Sequence, residues 1–367
     1  MRRADRSVWG MLFVFSLLLA ACGPANPAQS PEAEPGRVTV VDALGRTVEF
    51  DAPPQRIVVA GKSSLTIVDA LFLFPEAAGR VVGLVVGQQK AGDFLRHVDP
   101  TFDQKAILAV EAGPEQIAPL RPDVVLLRSF AAGGLGQSLE QVGLPVVYLD
   151  LETPEQYGRD LTALGALLGN EARAAEVQAF YQDRLDRLDG ALQGLADDQK
   201  PRALVVQYSQ QGGETALNVP SASWLQTIET ELAGGLPVWK EAAQGGGWTI
   251  VNFEQVAAWD PDAIFVISYG ADPVQVVDTL RADARWQALR AVQAGRLHAF
   301  AGDIFSWDQP DPRWILGVTW MAARLHPDRL ADLDMIEEVT QFFGQMYGMD
   351  EATIAANILP ALRGDLP

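Results

Sequence analysis

The sequence predicts an α/β protein of two βα lobes with mostly parallel sheets, joined by a long linker helix. Three observations predict it. Short apolar runs alternate with helical patterns before residue 150 and again after residue 200, the rhythm of βαβ units. Between them, Thr153 to Leu195 reads as helix from end to end. A ten-residue pattern also recurs. Ile117-Ala118-Pro119-Leu120-Arg121-Pro122-Asp123-Val124-Val125-Leu126 parallels Val256-Ala257-Ala258-Trp259-Asp260-Pro261-Asp262-Ala263-Ile264-Phe265, each leading from a short helix through Pro-Asp into an apolar strand. A length of 367 residues fits two such lobes.

The chain begins with MRRADR and an apolar run from Val8 to Ala21, so residues 1–21 read as a signal peptide, too short for a comfortable transmembrane helix. Leu19-Ala20-Ala21-Cys22-Gly23 resembles a bacterial lipobox, and the chain's one cysteine stands at its cleavage position. That resemblance implies lipid on the Cys22 sulfur and an acylated new amine, enough acyl chains for stable anchoring. Residues 22–36, rich in proline, read as a disordered tether.

Residues 37–150 form the N-terminal βα lobe. Val38–Asp42 and Arg46–Phe50 flank Ala43-Leu44-Gly45 as a hairpin, and Arg56–Ala60, Val81–Val86, Pro122–Leu127 and Pro145–Leu149 are apolar strands. Helices are expected from Ser63 or Ser64 through Leu71, over Pro114–Leu120 and over Leu135–Val142. Residues 151–200 are the helical linker. Thr153 is its N-cap, Pro154 suits the first turn, and Gln156 completes a capping box. Leu161, Leu164 and Leu168, then Leu185, Leu188 and Leu192, mark one buried face. Gly169-Asn170 divides the linker, leaving a rod from Glu171 to Leu195, roughly 37 Å long at 1.5 Å per residue. Residues 201–367 form the C-terminal βα lobe with terminal helices. Its strands are Arg202–Tyr208, Pro261–Tyr269 and Arg296–Phe300, and Gln210–Gly213 and Gly245–Trp248 read as loops.

Composition narrows the function. The net charge is −19, and −21 without residues 1–21, which argues against sequence-independent nucleic-acid binding. Gly61-Lys62-Ser63 echoes a phosphate loop, but Arg56 stands where its first glycine belongs. His97, His298 and His326 are scattered without carboxylates at ligand spacing, so they read as structural or surface residues and no metal is expected to be caged directly.

Several fragments carry a family resemblance. They are Asp42-Ala43-Leu44-Gly45-Arg46-Thr47-Val48, Pro54–Val58, Glu115-Gln116-Ile117 leading to Arg121–Val125, the rod from Leu164 to Ala179, Ala233-Gly234-Gly235 and Glu254 to Asp262. In their order and spacing the chain resembles a substrate-binding protein of an ABC importer. It is most similar to the helix-linked group that serves ferric siderophores, haem, corrinoids and, in some members, molybdate or tungstate. The resemblance implies a lipid-tethered, exported protein, on the outer face of the cytoplasmic membrane or in the periplasm. It implies delivery of a metal chelate or metal oxyanion to an ABC permease and its ATPase, with no intrinsic cofactor and a monomer as the expected state. An exported enzyme of hydrolase type and a membrane-anchored ligand sensor are the alternatives, since fold alone does not settle function.

The expected cleft lies at the strands' carboxyl ends. Lys62 and Ser63, then Arg128 and Ser129, follow first-lobe strands; Tyr208, Gln211, Trp248 and Tyr269 follow second-lobe segments; Trp307 and Arg313 lie in SWDQPDPRW after the last strand. Arg128 suits an anion, whose oxygens a guanidinium grips in two-pronged fashion. The aromatic residues suit the flat face of a chelate. Related proteins present one acidic residue per lobe to the permease, which makes Asp69 and either Glu229 or Glu231 the candidates here.

Overall fold

The computed structural model describes residues 36–86, 91–211 and 214–366, and residues 36–367 form one compact unit. Cys22, the signal-like segment and the proline-rich tether up to Pro35 lie outside the described residues. The fold begins with an antiparallel hairpin, β1 (Val38–Val41) and β2 (Thr47–Phe50). Its turn is built on buried Asp42, whose carboxylate accepts from the N–H groups of Leu44 and Arg46, both at 3.0 Å, while Gly45 takes φ +73°. Arg46 bonds Asp42 at 2.8 Å, Glu140 at 2.6 Å and the Val146 carbonyl at 2.9 Å, so this motif holds the hairpin to the first lobe.

The first sheet is wholly parallel. It comprises β3 (Ile57–Val59), β4 (Val81–Val85), β5 (Ala106–Leu108), β6 (Val124–Arg128) and β7 (Val146–Leu149), in spatial order β5-β4-β3-β6-β7. Both faces are covered. Ile57, Val59, Val124 and Leu126 enter the main core, while Val58, Ala60, Val125 and Leu127 enter a smaller cluster on the opposite face. Strands buried on both sides have no polar face, hence their unbroken apolar sequence.

The second sheet comprises β8 (Arg202–Gln211), β9 (Glu214–Val219), β10 (Leu236–Pro237), β11 (Thr249–Val251), β12 (Ala263–Ile267) and β13 (Leu297–Ala299). Its order is β11-β9-β8-β12-β13, with β10 also on β8; β10, β8, β12 and β13 pair in parallel, and β9 pairs antiparallel with both β8 and β11. The loop expected from Gln210 is corrected: β8 continues to Gln211 and turns back as β9.

The internal echo is a repeated hydrogen-bond motif. Arg121 and Asp260 take left-handed φ values of +49° and +39° ahead of their Pro-Asp pairs. Asp123 accepts from the Arg56 N–H at 2.9 Å and Asp262 from the Arg202 N–H at 2.8 Å. The Arg56 side chain bonds the Leu120 and Arg121 carbonyls, and that of Arg202 bonds the Trp259 and Asp260 carbonyls. In each lobe the Pro-Asp turn therefore fixes where a short helix ends and a central strand starts.

The linker has two helices, Pro154–Leu168 and Glu171–Leu192, the second about 33 Å long. Thr153 caps the first by accepting from the Gln156 N–H at 3.3 Å; Gly169, at φ +66°, ends it, and Asn170 caps the second. The Gln156 side chain accepts from the Glu152 N–H at 2.9 Å, one residue outside the expected capping box. The rod buries Ala174, Val177, Phe180, Tyr181, Arg184 and Leu188, with Leu185 and Leu192 at the margin of that face. Tyr157 and Tyr181, one on each helix, donate their hydroxyls to the carbonyls of Pro310 at 3.3 Å and Pro312 at 2.6 Å.

The lobes also meet in a buried seam centred on Arg313. Its guanidinium bonds Asp69 of the first lobe at 2.8 Å and Asp303 of the second at 3.0 and 3.1 Å. Phe94, Phe305, Phe343 and Tyr347 surround the charge, with ring centroids 4.4 to 5.8 Å from its carbon. Trp307 donates to Asp303 at 2.9 Å and, like Arg313, has 0% exposure. These contacts correct two expectations about the cleft: Trp307 and Arg313 are core residues that join the lobes. Asp69 and Glu229 are corrected as well. Both are at 0% exposure, Asp69 because the Leu65–Leu71 helix is buried over nearly its whole surface, so neither presents a carboxylate to a partner.

Candidate functional site

The carboxyl ends of the parallel strands border a cavity of about 550 Å³ between the lobes. Glu152, Thr153 and Gln156 enter it from the segment after β7 and the first linker turn. Ser223, Trp224, Leu225 and Gln226 come from the entry to the helix Leu225–Leu232, Trp248 precedes β11, Tyr269 follows β12, and Gln309 and Pro310 follow β13.

Trp224 and Trp248 meet edge to face, with centroids 5.4 Å apart at 88°, and form a stiff apolar wall. Tyr269, 40% exposed, offers a second aromatic surface while its hydroxyl donates to Asp308 beneath the floor. Gln226 donates to the same carboxylate at 3.2 Å. Burial pushes the Asp308 carboxyl above its usual range, against hydrogen bonds from Ser306, Tyr269 and Gln226. Asp308 therefore positions cavity residues from below. Behind it, burial drives Glu229 well upward, reinforced by Asp308 and Asp311; neither Glu229 oxygen has a hydrogen-bond partner among the described residues.

Arg128 ends β6 and is only 2% exposed. It donates to Thr66 Oγ1 at 3.0 Å and the Ser63 carbonyl at 3.4 Å, and it forms a short ion pair with Glu152. Two non-glycine residues with positive φ stand beside it, Ser63 at +57° and Leu151 at +56°. Asp160 holds the second by accepting from the N–H groups of Asp150 at 2.7 Å and Leu151 at 2.9 Å. Strained backbone of this kind needs a surrounding structure that enforces it. Among the lining residues Glu152 is the one charged group.

The sequence-derived candidates therefore separate. Trp248 and Tyr269 line the cavity, and Arg128 touches it through Glu152. Lys62, Ser63 and Ser129 stand at the same sheet edge outside the lining. Tyr208 lines another hollow, about 970 Å³, within the second lobe, of which Trp248 is also a wall. Gln211 ends β8, paired with Glu214. Glu231 is exposed and ion-paired with Lys240. Glu152, Gln156, Trp224, Gln226 and Gln309 were not anticipated. The Thr153 cap was a usable signal for the first two, because residues around a helix N-terminus after a β-strand lie at the sheet edge. His298 stacks on Phe265 and His326 bonds the Gly234 carbonyl at 3.2 Å, so both serve packing. Among the described residues no cluster of three or more His, Cys, Asp or Glu side chains stands at metal-binding spacing.

Comparison with known proteins places this geometry. The family model described as periplasmic binding protein matches residues 81–301, more than half the chain. The molybdate-binding protein MolA of Haemophilus influenzae is 24% identical over 338 residues, covering 84% of this chain and 90% of its own. The solved structure of MolA with bound molybdate superposes with a TM-score of 0.67 at 19% identity, over 85% of this chain and 98% of that one. A periplasmic solute-binding protein of Veillonella parvula gives 0.69 at 20% identity, over 88% and 97%. CeuE of Helicobacter pylori, solved with nickel and histidine, gives 0.65 at 16% identity, over 87% and 98%. These relatives are binding proteins, not enzymes. By the family match and the two-lobed, helix-linked architecture, the chain belongs to the periplasmic binding protein family.

Proposed function

We propose that the protein is the extracytoplasmic substrate-binding component of an ABC importer, held to the membrane by lipid on Cys22. In this reading its cleft captures a metal chelate, such as a ferric siderophore, haem or corrinoid, for a permease driven by its ATPase. The cavity carries the reading. Its volume of about 550 Å³ falls in the range of sites for drug-sized ligands, and Trp224, Trp248 and Tyr269 supply flat apolar walls for a chelate face. Capture of a metal oxyanion is the second reading, favoured by the likeness to MolA and by Arg128 at the strand end. The pairing of Arg128 with Glu152 and the breadth of the aromatic walls favour the chelate. Glu231 remains the acidic candidate for permease contact on the second lobe, and residues 22–36 the tether.

A thermal-shift panel of ferric siderophores, haemin, corrinoids, molybdate and tungstate tests the ligand class. A ligand at about 100 times its Kd stabilises the native state by roughly 2.7 kcal/mol, a readily measured shift. A response to molybdate and tungstate alone would replace the chelate reading with the oxyanion one. No response to any would remove both. Metabolic labelling with palmitate tests the anchor: the native chain takes up label and Cys22→Ser does not, and equal labelling of the two would refute it.

A further inference from the structure

We infer that Glu152 is a latch on Arg128, an internal carboxylate standing where an anionic group of a ligand would bind, and that it sets the charge selectivity of the cleft. The inference rests on the cleft reading above and deepens it.

Arg128 is almost fully buried yet lies one side chain from the cavity, and that side chain is Glu152, which is 52% exposed and lines the cavity. The guanidinium's contacts to Thr66, the Ser63 carbonyl and the Phe130 ring, 5.8 Å from its carbon, hold it from the first-lobe side and supply no negative charge. Among the described residues Arg128 Nε has no hydrogen-bond partner, so its donor capacity is not exhausted. A guanidinium can present parallel donors to two oxygens, and in this protein one Glu152 oxygen occupies one of its terminal nitrogens.

The latch is held in position rather than folded there by chance. Leu151 has a left-handed backbone fixed by Asp160, Glu152 follows directly, and the Glu152 N–H is tied to the Gln156 side chain at 2.9 Å. The linker N-cap Thr153 comes next, so the carboxylate stands immediately before the first turn of the linker helix. An anionic ligand must displace it to reach Arg128 and must leave Glu152 solvated or paired elsewhere. Elsewhere in the cavity, among the described residues, a small oxyanion meets no cationic side chain, only neutral polar groups such as Ser223, Gln226 and Gln309. A chelate with aromatic contacts to Trp224 and Trp248 keeps its binding without breaking the pair. The latch thus discriminates against a bare anion by obliging it to compete with a tethered one, a repulsive element of the kind specificity requires.

The test is calorimetric titration of the full exported chain and its Glu152→Gln variant with molybdate and with a neutral ferric trihydroxamate. The latch predicts that E152Q binds molybdate at least about tenfold more tightly, a gain of about 1.4 kcal/mol, with trihydroxamate affinity changed less than about threefold. The gain disappears when Arg128→Met is added, because the guanidinium is then gone. If the E152Q protein is unfolded by circular dichroism, Glu152→Asp, one methylene shorter, is expected to move molybdate affinity in the same direction. Unchanged or weaker molybdate binding by the folded variant, with trihydroxamate still bound by the native chain, would overturn the latch and leave the cleft reading standing. Failure of both proteins to bind either probe would overturn the latch, and the absence of any response across the thermal-shift panel would overturn the cleft reading with it.

Discussion

Across the cleft the lobes face one another through Glu152, Trp224, Trp248 and Tyr269, all with solvent-facing surface, whereas at the seam Asp69 meets Arg313 with neither exposed. Both junctions use an arginine–carboxylate pair with aromatic neighbours. They differ in what surrounds the charge. At the seam, Asp303 and four aromatic rings enclose Arg313, and the pair is inaccessible to any ligand. At the cleft, Arg128 is held by one carboxylate that solvent can reach. The same chemistry therefore serves attachment in one place and leaves room for exchange in the other. Desolvation decides between the two: a charge withdrawn from water on all sides cannot be given a new partner without a large cost.

Exchanging the two functions by mutation is the most direct way to break this comparison. Arg313→Ala leaves Asp69 and Asp303 buried without their counter-ion and is expected to cost about 3–5 kcal/mol of stability. Ligand affinity of the remaining folded protein should change little. Trp248→Ala should do the converse, lowering affinity about tenfold or more with a melting temperature shift under about 2 °C. Urea unfolding and titration of both variants with a ligand drawn from the panel read the two quantities. Loss of affinity in Arg313→Ala at full folding would show that the seam is part of the binding site after all.

A smaller effect concerns the acidic groups between the two regions. Burial raises Asp69 to about 6 despite the attraction of Arg313, and raises Asp311 and Glu229 well above their ordinary values. Glu229 gives the cleanest reading because among the described residues no cation partners it. Its folded form holds a proton that the unfolded chain has already released, so the native state binds more protons from about pH 4.5 up to the raised folded value. The contribution of Glu229 to stability therefore falls as pH rises through that window. Glu229→Gln removes this contribution, and its stability should fall less steeply, by at most about 1.4 kcal/mol per pH unit. Thermal melts of both proteins from pH 4 to 8 measure the difference; parallel curves would refute the assignment.

How far these features were legible in the sequence follows from the range of the forces involved. The Pro-Asp repeat and the linker caps were readable because each consists of residues that bond their near neighbours or the adjoining strand. The β8–β9 hairpin was not, because Gln210, Gln211, Glu214 and Thr215 carry no apolar alternation. Asp69 was read as a carboxylate presented to the permease, yet from Leu65 to Phe74 the sequence LTIVDALFLF has only Thr66 and Asp69 as polar residues. A helix apolar on nearly all sides is a buried one, and its lone carboxylate then needs a buried cation. Arg313 is 244 residues away, and nothing local announces that pairing. Trp307 and Arg313 misled for a similar reason: an Asp- and Pro-rich loop after a strand resembles a cleft rim, and only the packing of Phe94 and Phe343 against it turns it inward.

The seam and the rod together make a last prediction, the smallest in size. A closure that rotated one lobe about the linker would have to shear Asp69 from Arg313 or pull Phe94 from Phe305 and Tyr347. It would also drag Tyr157 and Tyr181 off the Pro310–Pro312 carbonyls that brace the linker. Ligand binding at a half-exposed cleft supplies no contact that would replace those interactions. Small-angle scattering should therefore detect a change in radius of gyration below about 1 Å, in a chain of this size near about 20 Å, when a ligand from the panel is added to saturation. In Arg313→Ala the change should grow, because the seam no longer resists it. A large closure in the native protein would mean that the seam slides as a unit, and the distinction between attachment and exchange would then belong to the linker alone.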